Sequence, residues 1–172
     1  ATPGHHHQIA HSLENKDLTL YRRFGYFTSA FAEGWALYSE ILALEAGLAQ
    51  NPYDELGILQ SELFRAVRLV VDTGMHYKRW TREEAMEYMK SKTGMSDTEV
   101  RVEIERYIVW PGQALSYKVG MIKILELREK AINELGDKFD IKDFHSAVLD
   151  HGNPPLFIVE EMVNNMISQA LD

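Results

Sequence analysis

The chain has 172 residues and a mass of 19.8 kDa, is 45% hydrophobic and 26% charged, and carries a net charge of -8 with no cysteine. That length and apolar content suit one globular domain with a sizeable core and exclude disorder over most of the chain. The excess of 26 Asp+Glu over 18 Lys+Arg argues against nucleic-acid binding, and the lack of cysteine removes disulfides, thiolate zinc sites and cysteine nucleophiles.

The opening Ala1-Thr2-Pro3-Gly4 has neither an initiator Met nor a signal peptide, so the chain reads as a portion of a longer protein, with any targeting information expected upstream. From Tyr21 to Gly47 there is no proline, and Phe24, Phe27, Phe31, Leu37, Ile41 and Leu44 recur at helical spacing. This predicts one helix closed by Gly47, with Asn51-Pro52 starting the next. The next helix is expected over about residues 53–77, burying Leu56, Leu59, Leu63, Val67, Val70 and Val71. Thr81-Arg82-Glu83-Glu84 and Ser96-Asp97-Thr98-Glu99 read as capping boxes, and Gly94 ends the short helix between them.

A helix over 96–109 is interrupted by Trp110-Pro111-Gly112, and Pro111 is expected to open a long helix down to Leu135. Two shorter helices, around 141–149 and 156–171, flank Gly152-Asn153-Pro154-Pro155. Strand signals are almost absent, there is no internal repeat and no linker long enough to divide domains, and no apolar run reaches the ~18 residues of a membrane span. The expectation is an all-α fold, a single helical domain over 1–172 with about seven to eight helices and short connections.

Four clusters carry chemistry. In Pro3-Gly4-His5-His6-His7-Gln8, adjacent helical residues diverge by about 100°, so one or two imidazoles at most can aim at one point as metal ligands; the alternative reading is solvated surface histidines. Glu33 and Glu40, two helical turns apart, share a face with Leu37 and Leu44, and a carboxylate there needs a cation, either a metal or an arginine. Arg65, Arg68, Asp72 and His76 form one polar ridge flanked by Leu69, Val70, Val71 and Met75, which reads as a buried network. Gly74 within that helix implies close packing or ligand approach. Finally, Tyr107 and Tyr117 flank the helix break at Trp110-Pro111-Gly112, where a tyrosine hydroxyl either donates to a developing oxyanion or sits at the edge of the core.

In this order the clusters resemble the bacterial family catalogued as domain of unknown function 885, whose members resemble zinc metallopeptidases of the gluzincin type. The matching stretches are PGHHHQ (3–8), EGWALYSE (33–40), ELFRAVRLVVDTGMHYKRWT (62–81), RYIVWPGQALSYKVG (106–120) and FHSAVLDHGNPPL (144–156). In that family the first is preceded as His-Glu-x-x-Pro-Gly-His, so Ala1-Thr2 stand for the two x residues and the chain begins just after the His-Glu pair. The resemblance implies a zinc cofactor, with the upstream His and Glu as first ligand and general base, His5 as second ligand with His6 as the fallback, and Glu33 as third. It further implies that Tyr107 or Tyr117, with His76, steadies the oxyanion, and that Arg68 and Arg106 orient substrate or carboxylate ligands.

A ligand spacing of six, rather than the four of His-Glu-x-x-His, points the second imidazole about 240° away on a regular helix, so Pro3-Gly4 must break it. The leading expectation is therefore the C-terminal part of a larger helical metallohydrolase domain, incomplete alone, acting on peptides or small molecules. The alternative is a non-catalytic helical module gripping a peptide or small ligand through Trp35, Trp110 and the arginines. Apolar surface left open is expected to associate with the missing N-terminal portion or another copy of the chain. Export and lipoprotein signals in family members imply the cell envelope or secretion.

Overall fold

The computed structural model describes residues 3–25 and 27–172, and every regular element among them is helical. Ala1 and Thr2, the two x residues of the motif, lie outside the described residues. The helices are α1 (His5–Glu14), α2 (Ser29–Glu45), α3 (Pro52–His76), α4 (Arg82–Thr93), α5 (Asp97–Val109), α6 (Gln113–Leu135), α7 (Ile141–Leu149) and α8 (Leu156–Leu171). A π-helical turn, Tyr21–Gly25, joins α1 to α2, and a 3-10 turn, Gly136–Lys138, follows α6. No described helix is long and apolar enough to cross a membrane.

Local signals set most of these boundaries. The Asn51 side chain accepts from the backbone N–H groups of Tyr53 and Asp54, with Pro52 as the first helical residue of α3. Both expected capping boxes form, Thr81 with Glu84 and Ser96 with Glu99, and Gly94 closes α4 at a φ of 68°.

Helix α6 is shared by two cores. On one side Phe31, Trp35 and Tyr38 of α2 pack with Met121, Ile124 and Leu127, and with apolar residues of α7 and α8. On the other, Val67 and Val71 of α3, Ala85 and Met89 of α4, and Val100, Ile104 and Tyr107 of α5 pack around Ala114. Contact between α2 and α6 is backbone to backbone: a Cβ on Gly120 would lie 1.8 Å from the Ala30 carbonyl oxygen, and one on Gly34 would lie 2.5 Å from the Gly120 backbone. Farther along, Arg128 of α6 meets Glu45 of α2, so the two helices run parallel. Gly74 allows the other close approach that its place in mid-helix suggested, since a Cβ there would fall 2.4 Å from the Trp80 ring.

Three expectations are corrected. The helix expected from Tyr21 to Gly47 is two elements. Arg23 donates to the Leu13 carbonyl at the end of α1 and the Thr28 N–H donates to Asn153 Oδ1 at 3.2 Å, holding the chain away from α2 and leaving Phe24 and Phe27 exposed. Leu56, Leu59 and Leu63 lie on an exposed half of α3, because that helix packs on α4, α5 and α6 chiefly from Val67 onward; Val70 is also partly open. Pro111 does not open α6. Gly112 precedes it as a left-handed cap at φ 81°, with its N–H taken by the Asp72 carboxylate.

Candidate active site

The site starts from the carbonyl of Pro3. It accepts from the indole Nε1–H of Trp35 at 3.1 Å and from the Ser39 hydroxyl at 3.4 Å, which pins the entry of α1 to the middle of α2. Trp35 is buried and stands edge-on to His145, ring centroids 5.3 Å apart, with Tyr38 alongside at 5.6 Å. The Tyr38 hydroxyl and His145 Nε2 are hydrogen-bonded at 2.9 Å. Burial pulls His145 down to about 4, with Arg128 adding to it, and burial pushes Tyr38 up to about 12. Both are thus neutral near pH 7, the state in which this hydrogen bond forms.

Pro3-Gly4 form a turn and α1 begins at His5, with Gly4 outside helical geometry at a ψ of -136°. His5 Nε2 then lies 3.2 Å from Glu33 Oε2, joining α1 to α2, with the His5 side chain 45% exposed and that of Glu33 16%. On the other edge of the ring, Nδ1–H donates to Gln8 Oε1 at 3.2 Å. Gln8 is buried and its Nε2 has no partner. Leaving such a group unpaired costs about 1–3 kcal/mol.

Glu40 takes the other kind of partner, accepting from Ser61 at 2.8 Å with Arg65 at 3.7 Å. The two carboxylates of α2 are thereby told apart: one meets an arginine, the other an imidazole. Arg65 belongs to that contact and not to the network expected farther along α3. His6 is exposed on α1. Among the described residues no three His, Asp or Glu side chains converge as a metal site, so His5 and Glu33 are a pair.

A second polar group lies between α3, α5 and α6. Arg68 is buried, its guanidinium over the Tyr117 ring at 4.1 Å and its Nη2 donating to Gln113 Oε1 at 3.5 Å. Arg106 donates to the same oxygen at 3.0 Å and to Glu103 at 2.8 Å. The Tyr107 hydroxyl also donates to Glu103, at 2.5 Å, and burial followed by that contact raises its pKa. Burial works to raise Glu103, but Tyr107 and Arg106 outweigh it and hold the carboxyl below its ordinary range. Asp72 is raised by burial even with the Gly112 N–H, His76 and Arg68 acting against it. His76 donates from Nε2 to the Tyr107 carbonyl at 2.9 Å.

The two tyrosines differ in what their protons do. Tyr107 donates its hydroxyl hydrogen bond to Glu103, whereas the Tyr117 oxygen accepts from Gln113 Nε2 at 3.3 Å and has its own O–H left to donate. Tyr117 is one helical turn before Gly120 and Glu33 immediately precedes Gly34, so the α2–α6 contact ties the second group to the first. Trp35 and Trp110 form no shared cleft face: Trp35 is 1% exposed and Trp110 61%, which corrects their expected role in gripping a ligand. Sequence reasoning also passed over Gln8, three residues from His5, and the FHSAVLDHGNPPL residues His145, Gly152 and Asn153, for which the stretch itself was the only signal.

Solved structures resemble this arrangement. One described as "the putative lipoprotein from Colwellia psychrerythraea" is 54% identical, with a TM-score of 0.95, over 98% of this chain and 29% of that one. A "putative lipoprotein of unknown function from Shewanella oneidensis" is 28% identical, with a TM-score of 0.87, over 95% of this chain and 30% of that one. The chain thus spans less than a third of either. No curated protein matches it. The family described as "Bacterial protein of unknown function (DUF885)" matches residues 1–163, and the chain belongs to that family.

Proposed function

We propose that the chain is part of a zinc-dependent hydrolase of the gluzincin type that cleaves peptides, with His5 and Glu33 as two of the metal ligands. The observation that carries this reading is the 3.2 Å approach of His5 Nε2 to Glu33 Oε2, from residues 28 positions apart. Adjacent donor atoms around a tetrahedral zinc, at ~2.0–2.2 Å from it, lie about 3.3 Å apart, so the pair has the right donors and separation. The contact from His5 Nδ1 to Gln8 supports it further, because ligating imidazoles commonly donate their other N–H to an oriented oxygen. The remaining ligand and the general base are assigned, by the resemblance, to a His-Glu pair upstream of Ala1. His6 stays the fallback for His5.

Zinc held there would supply Lewis acidity toward a scissile carbonyl and activate water at neutral pH. The residues of this chain do the rest. Trp35 and Ser39 fix the Pro3 carbonyl and so aim His5. Gln8 orients the imidazole. Tyr117, whose hydroxyl proton is uncommitted, is the donor to the developing oxyanion, and Arg68 stacked on its ring holds it in place. Tyr107 and His76 brace this arrangement through Glu103 and the Tyr107 carbonyl, while Arg106 steadies Gln113. The two lipoprotein-named neighbours support a place at the cell envelope.

The test is metal analysis and a peptidase assay on the protein extended upstream through the expected His-Glu. Stoichiometric zinc and turnover, both lost in Glu33→Gln, are the expected results. Peptide binding without metal or turnover would instead favour a non-catalytic binding module.

A further inference from the structure

Beside His5 lies a cavity of about 220 Å³ between α1, the π-turn and the Gly152-Asn153 loop. It is below the ~300 Å³ at which pockets for drug-sized ligands begin, so it suits a single residue. Its walls are held in place. Arg23 is anchored on the Leu13 carbonyl, Asn153 accepts from the Thr28 N–H, and Gly152, at φ 82°, lets the Arg22 carbonyl approach to 3.0 Å of where a Cβ would stand.

Three features of the wall describe a ligand. Ile9, Phe24 and Phe27 give exposed apolar surface. Arg22 lines the cavity, is exposed, and has no ion-pair partner among the described residues. Gln8, 4% exposed, brings a buried amide with one polar atom unpaired.

We infer that this cavity receives the C-terminal residue of a peptide, its apolar side chain against Ile9, Phe24 and Phe27 and its carboxylate on Arg22. The inference rests on the hydrolase reading for turnover, since it names the end of the substrate, but binding can be measured without it. Pairing with a guanidinium is charge-assisted and separates a free carboxylate from its amide.

The experiment titrates the 15N-labelled chain with N-acetyl-leucine and, separately, with N-acetyl-leucinamide, following backbone amide shifts. Shifts are expected at residues 5–12, 21–28 and 152–153, with the acid bound about tenfold more tightly than the amide. Arg22→Gln should bring the acid down to the affinity of the amide. Ile9→Trp, a change at an exposed position that fills the cavity, should abolish binding of both while the spectrum remains that of a folded protein. Equal affinity for acid and amide in the parent chain, shifts centred elsewhere, or no shifts into the tens of millimolar would overturn the inference. Zinc titration of the same sample, read on the His5 and His6 ring resonances, tests the metal reading separately. A missing zinc response counts against that reading and leaves an acid-selective cavity standing.

Discussion

The two polar groups of this fold differ in their access to solvent. Around Arg68, Glu103, Arg106, Tyr107 and Gln113, each charged group meets an opposite charge, an amide or an aromatic face, and Arg68 and Tyr107 are buried. Around His5 and Glu33 the pair is open to solvent, Gln8 has an unpaired amide atom, and a cavity adjoins. Each group keeps one buried polar atom unpaired, Arg68 Nε in the first and Gln8 Nε2 in the second, so the difference between them is access: the second has an exposed imidazole beside a cavity, where binding energy is available to a ligand. On the proposed hydrolase reading the first group gives support and the second the chemistry, with Tyr117 at their boundary.

Substitutions can break or sharpen that division. The largest effect is expected at the seam joining the two groups: Gly120→Ala forces a methyl group onto the Ala30 carbonyl and should cost about 3 kcal/mol or more in denaturant unfolding. Next comes the group around Arg68 and Tyr107. Tyr107→Phe removes the donor to Glu103 and should cost about 1–2 kcal/mol while leaving the zinc response of His5 unchanged. A smaller effect follows from pH. His145 is held at about 4, so between its ordinary 6.5 and 4 the unfolded chain binds a proton that the native chain does not.

Stability should therefore fall as pH drops through that window, by on the order of 1 kcal/mol once partial exposure is allowed for, and His145→Gln should flatten the dependence. The smallest effect on stability belongs to the open group. Glu33→Gln should change unfolding by no more than about 0.5 kcal/mol yet weaken zinc binding at least tenfold, by roughly the scale of a disturbed metal site. Tyr117→Phe sharpens the boundary: stability should fall by less than about 1 kcal/mol while turnover of the upstream-extended protein falls about 100-fold. A large stability loss from Glu33→Gln, or none from Tyr107→Phe, would dissolve the distinction.

Much of this architecture is legible in local chemistry. The capping boxes at Thr81 and Ser96, Asn51-Pro52 and Gly94 mark helix ends because the groups that satisfy the orphan N–H and C=O lie within three residues. The segment after Tyr21 is not legible in this way. Its course depends on Leu13 and Asn153, ten and 125 positions from their partners, and apolar periodicity alone cannot foresee a π-turn. Leu56, Leu59 and Leu63 show the same limit, since an amphipathic stripe announces a partner without saying that it lies among these helices.

At the site, the pairing of His5 with Glu33 was an expectation of the resemblance, and the structure brings these residues together. Gln8 could have been suspected from its place one turn beyond His5, on the same face. The anchoring of Pro3 by Trp35 could not, because an indole at a buried position reads first as core.

The glycine seam has a consequence for motion. With Gly34 and Gly120 in backbone contact, the helix carrying Glu33 and the helix carrying Tyr117 have no side-chain cushion over which to slide, so they travel as one stiff beam. Breathing around a guest must then come from the slender strap of α1 and the π-turn, tethered through a few hydrogen bonds. Variation in what is admitted can accumulate on that strap without disturbing the alignment of the beam beneath it.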